Sequence, residues 1–108
     1  MHVLVTGGSR GIGEAILRLY RDNGYIVDAP ARNELDLSSD ESIDFFLSEK
    51  SDCGYDIIIN NAGCNLVYEI DEVPDAAILE MMHVNLLGPI RLLRGLVPYM
   101  KKGILGEL

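Results

Sequence analysis

The stretch Val3-Leu4-Val5-Thr6-Gly7-Gly8-Ser9-Arg10-Gly11-Ile12-Gly13 decides the fold. A short run of aliphatic residues ends in glycines, which suits a strand buried on both faces. From Gly11 the apolar residues change period. Ile12, Ala15, Ile16, Leu19 and Tyr20 fall at helical spacing, with Glu14, Arg18, Arg21 and Asp22 on the other face. The reading is strand, glycine turn, helix. In that position the missing Cβ atoms let the backbone turn sharply and let a phosphate group approach it. The first turn of the helix adds unpaired N–H groups and a partial positive charge. Taken alone, the stretch also fits a tight turn with no ligand.

Outward from there, strands and helices alternate. Gly24 ends the first helix. Tyr25-Ile26-Val27 begins a second strand, which Pro30 closes, and Leu35-Asp36-Leu37 reads as a third, very short one. Ser38 or Ser39 caps a helix whose buried face is Ile43, Phe46 and Leu47. Asp56-Ile57-Ile58-Ile59 is the most apolar strand candidate and runs straight into Asn60-Asn61-Ala62-Gly63. Pro74 suits the first turn of a helix carrying Ile78, Leu79 and Met82. A further helix is expected from His83 to Met100, with a bend or early end at Gly88-Pro89 or Pro98. Alternation of this kind implies right-handed crossovers and a parallel sheet. Residues 1–108 are therefore expected to form one α/β domain, half of a doubly wound parallel sheet, truncated after about the fourth strand and its following helices.

Composition narrows the function without naming it. The chain has 108 residues, 48% hydrophobic and 24% charged, which is ample material for one core. Its 17 acidic and 9 basic residues give a net charge of −8, which argues against binding a nucleic-acid backbone. No uninterrupted apolar run approaches 18 residues, so no membrane span is expected. Met1–Thr6 has no basic leader, and the expected location is cytoplasmic. Two cysteines, Cys53 and Cys64, are too few and too far apart for a zinc site or a disulfide framework, and no metal is expected. His2 and His83 have no partner at ligand spacing.

The glycine spacing T-G-x-x-x-G-x-G at Thr6–Gly13 resembles that of the short-chain dehydrogenase/reductase family rather than the commoner G-x-G-x-x-G. Three further motifs fall in the family's order. They are Asp36-Leu37, Asn60-Asn61-Ala62-Gly63, and Asn85 in His83-Val84-Asn85-Leu86-Leu87-Gly88-Pro89. The resemblance covers nearly the whole chain and implies a Rossmann-like, dinucleotide-binding domain. It assigns Gly7, Ser9, Arg10, Gly11, Ile12 and Gly13 to the cofactor turn, Asp36 and Leu37 to the adenine, and Asn60, Ala62 and Gly63 to the segment after the strand. Asn85 is the one carry-over from the catalytic set, where it helps to hold a proton-relay water. Its alternative role is to satisfy backbone groups at a helix irregularity.

For the cofactor, relatives that prefer NAD carry an acidic residue at the end of the second strand, for the ribose 2′-hydroxyl. Here that position is Ala31, and Asp28 lies three residues earlier, expected to point elsewhere. Arg32 follows directly, and Arg10 lies inside the turn. Two guanidinium groups suit a 2′-phosphate, which favours NADP(H) over NAD(H). The alternative is that both arginines are solvated surface charges.

The family's acid/base motif, Tyr-x-x-x-Lys, does not occur in these 108 residues. None of Tyr20, Tyr25, Tyr55, Tyr68 and Tyr99 has a lysine four positions on, and the catalytic serine, tyrosine and lysine are expected to be missing from this chain. The resemblance thus implies the cofactor-binding portion of a reductase or dehydrogenase. The intact enzyme would transfer hydride between nicotinamide and a small-molecule alcohol or carbonyl, and this chain alone is expected to be inactive. A standalone dinucleotide-binding or interaction module without catalysis is the competing reading. A sheet that stops after Ile57–Ile59 exposes an apolar edge. Homo-oligomerisation is therefore expected, through that edge, through the last helix, or by strand exchange of Gly103–Leu108.

Overall fold

Strand β1 (His2–Thr6) lies at the centre of a three-stranded parallel sheet of order β2-β1-β3, with β2 at Ile26–Asp28 and β3 at Ile57–Asn60. The computed structural model describes residues 1–9, 11–65 and 67–100. Arg10 and the tail Gly103–Leu108 lie outside the described residues. Register is continuous from His2 opposite Ile26 to Leu4 opposite Asp28, and from Val3 opposite Ile57 to Thr6 opposite Asn60.

The period of two along β1 sorts its side chains onto two faces. Val3 and Val5, with Val27 from β2, meet Ile16, Leu17 and Tyr20 of helix α1 (Gly11–Asp22). Leu4 points the other way. It joins Ile43 and Phe46 of α2 (Asp40–Lys50), Leu92 and Leu96 of α4 (Gly88–Leu96), and Leu35, Leu37 and Tyr55. Helices on both faces of a parallel sheet make this a small α/β domain of the doubly wound kind.

Local chemistry sets the helix ends as the sequence predicts. Ser39 caps α2, its hydroxyl accepting from the Ser42 N–H. Pro74 immediately precedes α3 (Asp75–Met82). Gly88-Pro89 does not end the helix. The chain stays helical from Asp75 to Tyr99 through a wide turn at His83–Leu87, where the Gly88 N–H bonds to the His83 carbonyl five residues back. A proline ring would strike the carbonyl four residues before it, and a turn wider by one residue removes that clash. Pro98 falls in the final 3₁₀ turn, Val97–Tyr99.

Three expectations need correction. Leu35-Asp36-Leu37 is not a strand, so Asn60-Asn61-Ala62-Gly63 follows the third strand rather than a fourth. The backbone groups there are committed locally. Leu35 N–H donates to the Ala31 carbonyl, Asp36 N–H to the Ser42 hydroxyl, and Ser39 N–H to the Asp36 carbonyl. The two leucines are nonetheless buried, which is the alternation that imitates a strand. In α1 the packed face is Gly13, Ile16, Leu17 and Tyr20, while Ile12 and Leu19 are exposed. The helix is rotated because Gly13 sits directly against the glycine turn. Finally, Asp75–Tyr99 is long and apolar enough, at a mean hydropathy of 1.3, to cross a membrane by length and composition alone. The expectation of no span rests on uninterrupted runs, and this helix reaches its average with charges included. Here it packs on the sheet through Leu92 and Leu96.

Candidate functional site

Parallel strands leave their carboxyl ends open where the crossovers diverge, and here β1 and β3 end side by side. Thr6, the last residue of β1, is buried. Its hydroxyl accepts from the Asn61 N–H and the Ala62 N–H, each at 3.1 Å, and lies 3.4 Å from Asn60 Oδ1, to which it donates. One hydroxyl therefore aims the segment after β3. Asn61 completes the join by donating from Nδ2 to the Gly7 carbonyl at 3.1 Å.

The glycine turn fits against this segment only without side chains. Gly7 has φ +68°, and a Cβ on it would stand 2.9 Å from Ala62 Cα. A Cβ on Gly13 would overlap the Gly7 carbonyl oxygen and press on Asn61 Nδ2. The first turn of α1 is thereby drawn onto the end of β1.

That opening is a cleft of about 420 Å³. It is floored by Thr6, Gly7, Asn61, Ala62 and Gly63 and walled by Pro30–Arg32 and Leu35–Leu37, with Glu80 and Val84 opposite. Its volume lies within the common range for small-molecule sites, about 300–1,000 Å³. It suits part of a dinucleotide, the adenosine and pyrophosphate end. Gly7 and Gly63 leave part of that floor without side chains, which lets a phosphate group approach the backbone.

The rim is charged. Asp36 Oδ1 accepts from the Ser38 N–H at 2.9 Å and from the Ser38 hydroxyl at 2.6 Å. The Ser38 hydroxyl above all, helped by Arg32, holds the Asp36 carboxyl below its ordinary range despite some burial. Arg32 reaches across the mouth, its Nε 3.5 Å from Asp36 Oδ2 and its Nη2 3.6 Å from Glu80 Oε1. Asp28 faces elsewhere. Its Oδ2 accepts from the Tyr55 hydroxyl at 2.6 Å and lies 3.0 Å from His2 Nε2, on the face of the sheet that α2 and α4 cover. Burial, reinforced by that carboxylate, pushes the Tyr55 phenol well above its usual range. Asp28 is therefore committed away from the cleft.

Of the residues singled out from the sequence, Gly7, Ser9, Arg32, Asp36, Leu37, Ala62 and Gly63 line the cleft. Gly11, Ile12, Gly13 and Asn60 do not. Gly13 and Asn60 act one layer behind, through Gly7 and Thr6. Asn85 stands outside the lining and grips it, for its Oδ1 accepts from the Cys64 N–H at 2.8 Å and its Nδ2 donates to the Cys64 carbonyl at 2.7 Å. The wide turn at His83–Leu87 carries this side chain, so the asparagine does satisfy backbone groups, those of the loop after β3. Sequence reasoning missed Glu80 and Val84. They lie on a helix more than 40 residues from the other rim residues, and no local spacing marks them.

Comparison with known proteins agrees with the geometry. The family described as short chain dehydrogenase matches residues 34–108. L-fucose dehydrogenase from Mus musculus is 31% identical over 120 residues, covering 93% of this chain and 44% of its own. An oxidoreductase (short chain dehydrogenase/reductase) from Brucella ovis superposes with a TM-score of 0.82 at 28% identity, over 91% of this chain and 55% of that one. The alcohol dehydrogenase of Thermococcus sibiricus, solved with 5-hydroxy-NADP, gives a TM-score of 0.79 at 29% identity, over 91% and 52%. Structures of the same fold include complexes with NADH and with NADPH. The chain spans about half the length of the relatives it matches.

Proposed function

Because the chain belongs to the short-chain dehydrogenase family, we propose that it forms the nucleotide-binding portion of an NADP(H)-dependent oxidoreductase acting on a small alcohol or carbonyl compound. The observation that carries this reading is the cleft. Its floor includes Gly7 and Gly63, where no side chain keeps a pyrophosphate from the backbone, and its rim presents Arg32 where Ala31 leaves no carboxylate for a ribose 2′-hydroxyl. Asp28, the nearest acidic residue of β2, is held by Tyr55. A guanidinium with paired N–H donors suits the phosphate that distinguishes NADP from NAD.

When bound, the nicotinamide supplies or accepts a hydride. The residues of this chain bind and orient. Thr6 and Asn61 hold the turn against the loop after β3, Asp36 and Leu37 border the adenine end, and Asn85 steadies Cys64 at the opposite lip. With no tyrosine followed four residues on by lysine, these 108 residues by themselves bind nucleotide without turnover. With both ends of its amide taken by Cys64, the Asn85 side chain acts as a positioning group for the loop after β3.

Association completes the reading. Leu79, Met82, Leu86 and Ile90 form an exposed apolar stripe along one helix, and β3 has an unpaired edge among the described residues. A homodimer through these surfaces is the state we assign, in the cytosol, where the free thiols of Cys53 and Cys64 persist.

A titration of the purified chain with NADPH and with NADH tests the proposal. Saturable binding that favours NADPH, weakened in Arg32→Ala, supports it. Equal affinity for the two, or no loss in Arg32→Ala, removes the NADP assignment, and no binding of either removes the nucleotide site. Light scattering at micromolar concentration tests the dimer, which a clean monomer with one cooperative unfolding transition would overturn.

A further inference from the structure

Glu80 faces the cleft from α3, on the wall opposite Arg32 and Asp36. Among these three groups the charge is −1, and the single guanidinium is shared. Its two contacts, 3.5 and 3.6 Å, are long beside the 2.8 Å at which Arg91 Nη2 meets Asp44 elsewhere on the surface. Asp36 is not free to yield, since one of its oxygens is occupied by Ser38 twice over. Glu80 has no such anchor. Its side chain is 54% exposed, and Arg32 is its ionic partner among the described residues.

From this arrangement we propose that Glu80 is a specificity-determining residue, a latch that engages Arg32 and so limits the chain's preference for a 2′-phosphorylated nucleotide. The inference rests on the nucleotide reading of the cleft given above. A nucleotide with a free 2′-hydroxyl can enter without disturbing the Arg32–Glu80 pair. One with a 2′-phosphate must draw the guanidinium off Glu80 and then stand near its carboxylate, a like charge. An exposed pair of this kind is weak, so the latch tunes rather than blocks. Glu80 sits on a different element from Arg32, and the setting of cofactor preference thereby passes partly to α3, which follows the loop pinned by Asn85.

The test is Glu80→Gln, which keeps the size of the side chain and removes its charge. Glu80 makes no buried contact, and circular dichroism should show the fold retained. Titrated at low ionic strength, the variant is expected to bind NADPH about three- to tenfold more tightly, from release of an exposed ion pair together with loss of a nearby like charge. NADH affinity should change by less than about twofold. In an Arg32→Ala background most of the gain should vanish. An unchanged NADPH affinity, an equal shift for both nucleotides, or a fall in NADH affinity would each overturn the latch, the last by making Glu80 a partner of the ribose. If the parent chain binds neither nucleotide, the cleft reading itself fails and the latch with it. If both bind and Glu80→Gln leaves their ratio unmoved, the latch alone fails.

Discussion

The floor and the rim of the cleft are built on opposite principles. The floor is neutral, half-buried for the most part, and held together by hydrogen bonds from backbone groups to Thr6 and from Asn61 to Gly7. The rim is charged and solvent-facing, and its Arg32 is divided between two carboxylates. The floor can take one arrangement only, since added carbon atoms at Gly7 or Gly13 meet backbone. The rim can exchange partners at little cost, because exposed ion pairs contribute under about 1 kcal/mol. The contrast teaches where each property resides: on the function proposed above, the floor admits a phosphate-bearing ligand and the rim selects which one.

The largest expected effect falls on the floor. Gly13→Ala forces a Cβ onto the Gly7 carbonyl and should lower unfolding free energy by about 3 kcal/mol or more, with loss of nucleotide binding. Urea denaturation would show it, and a variant as stable as the parent would break the description of the floor as rigid. Thr6→Val comes next. It keeps the shape of the side chain and strands the Asn61 and Ala62 N–H groups, at a cost of about 2 kcal/mol.

Asn85→Ala tests the far lip, where two hydrogen bonds to Cys64 disappear, at about 1–2 kcal/mol. It should also quicken labelling of the Cys64 thiol by a disulfide reagent, and unchanged labelling would mean the loop has some other support. At the rim the effects are small and depend on pH. The Asp36 carboxyl is held below its ordinary value of 3.8. Its contribution to stability is therefore full above that value and is lost as pH falls through the lower, folded-state one. Asp36→Asn should flatten this acid limb in denaturation curves recorded below about pH 4. Smallest of all, Arg32→Ala should shift stability by less than about 0.5 kcal/mol while it erodes the preference for NADPH. A large loss of stability would make Arg32 part of the frame rather than of the rim.

The same division governs what could be read from the sequence. Glycines in a strand–turn–helix setting have few physical explanations, so the floor was legible, down to Gly7, Gly13 and the Asn60–Gly63 segment that meets them. The unbroken aliphatic run of β1 announced a strand buried on both faces. Leu35-Asp36-Leu37 misled because burial of alternate leucines is shared by a strand and by a turn whose amides are bonded locally, to the Ala31 carbonyl and the Ser42 hydroxyl. The face of α1 was misjudged because periodicity marks apolar residues, and the residue that docks α1 is the small Gly13. Glu80 was invisible, for an exposed glutamate on a helix carries no signal until the fold brings it opposite Arg32. Residues that act through what they lack are conspicuous in a sequence, whereas those that act by facing a distant charge are not.

The central position of β1 also sets a clock during synthesis. The first strand to be made is the last to gain both neighbours, since the Thr6–Asn60 pairing closes over 54 residues. At about 5–20 residues per second, a ribosome needs roughly 3–11 s to supply the partner. Throughout that interval the aliphatic strand Val3–Val5 keeps an open edge, able to pair with any other extended segment within reach. The nascent chain is thus most vulnerable to aggregation between synthesis of β1 and of β3, and slow translation between β2 and β3 would lengthen the risk.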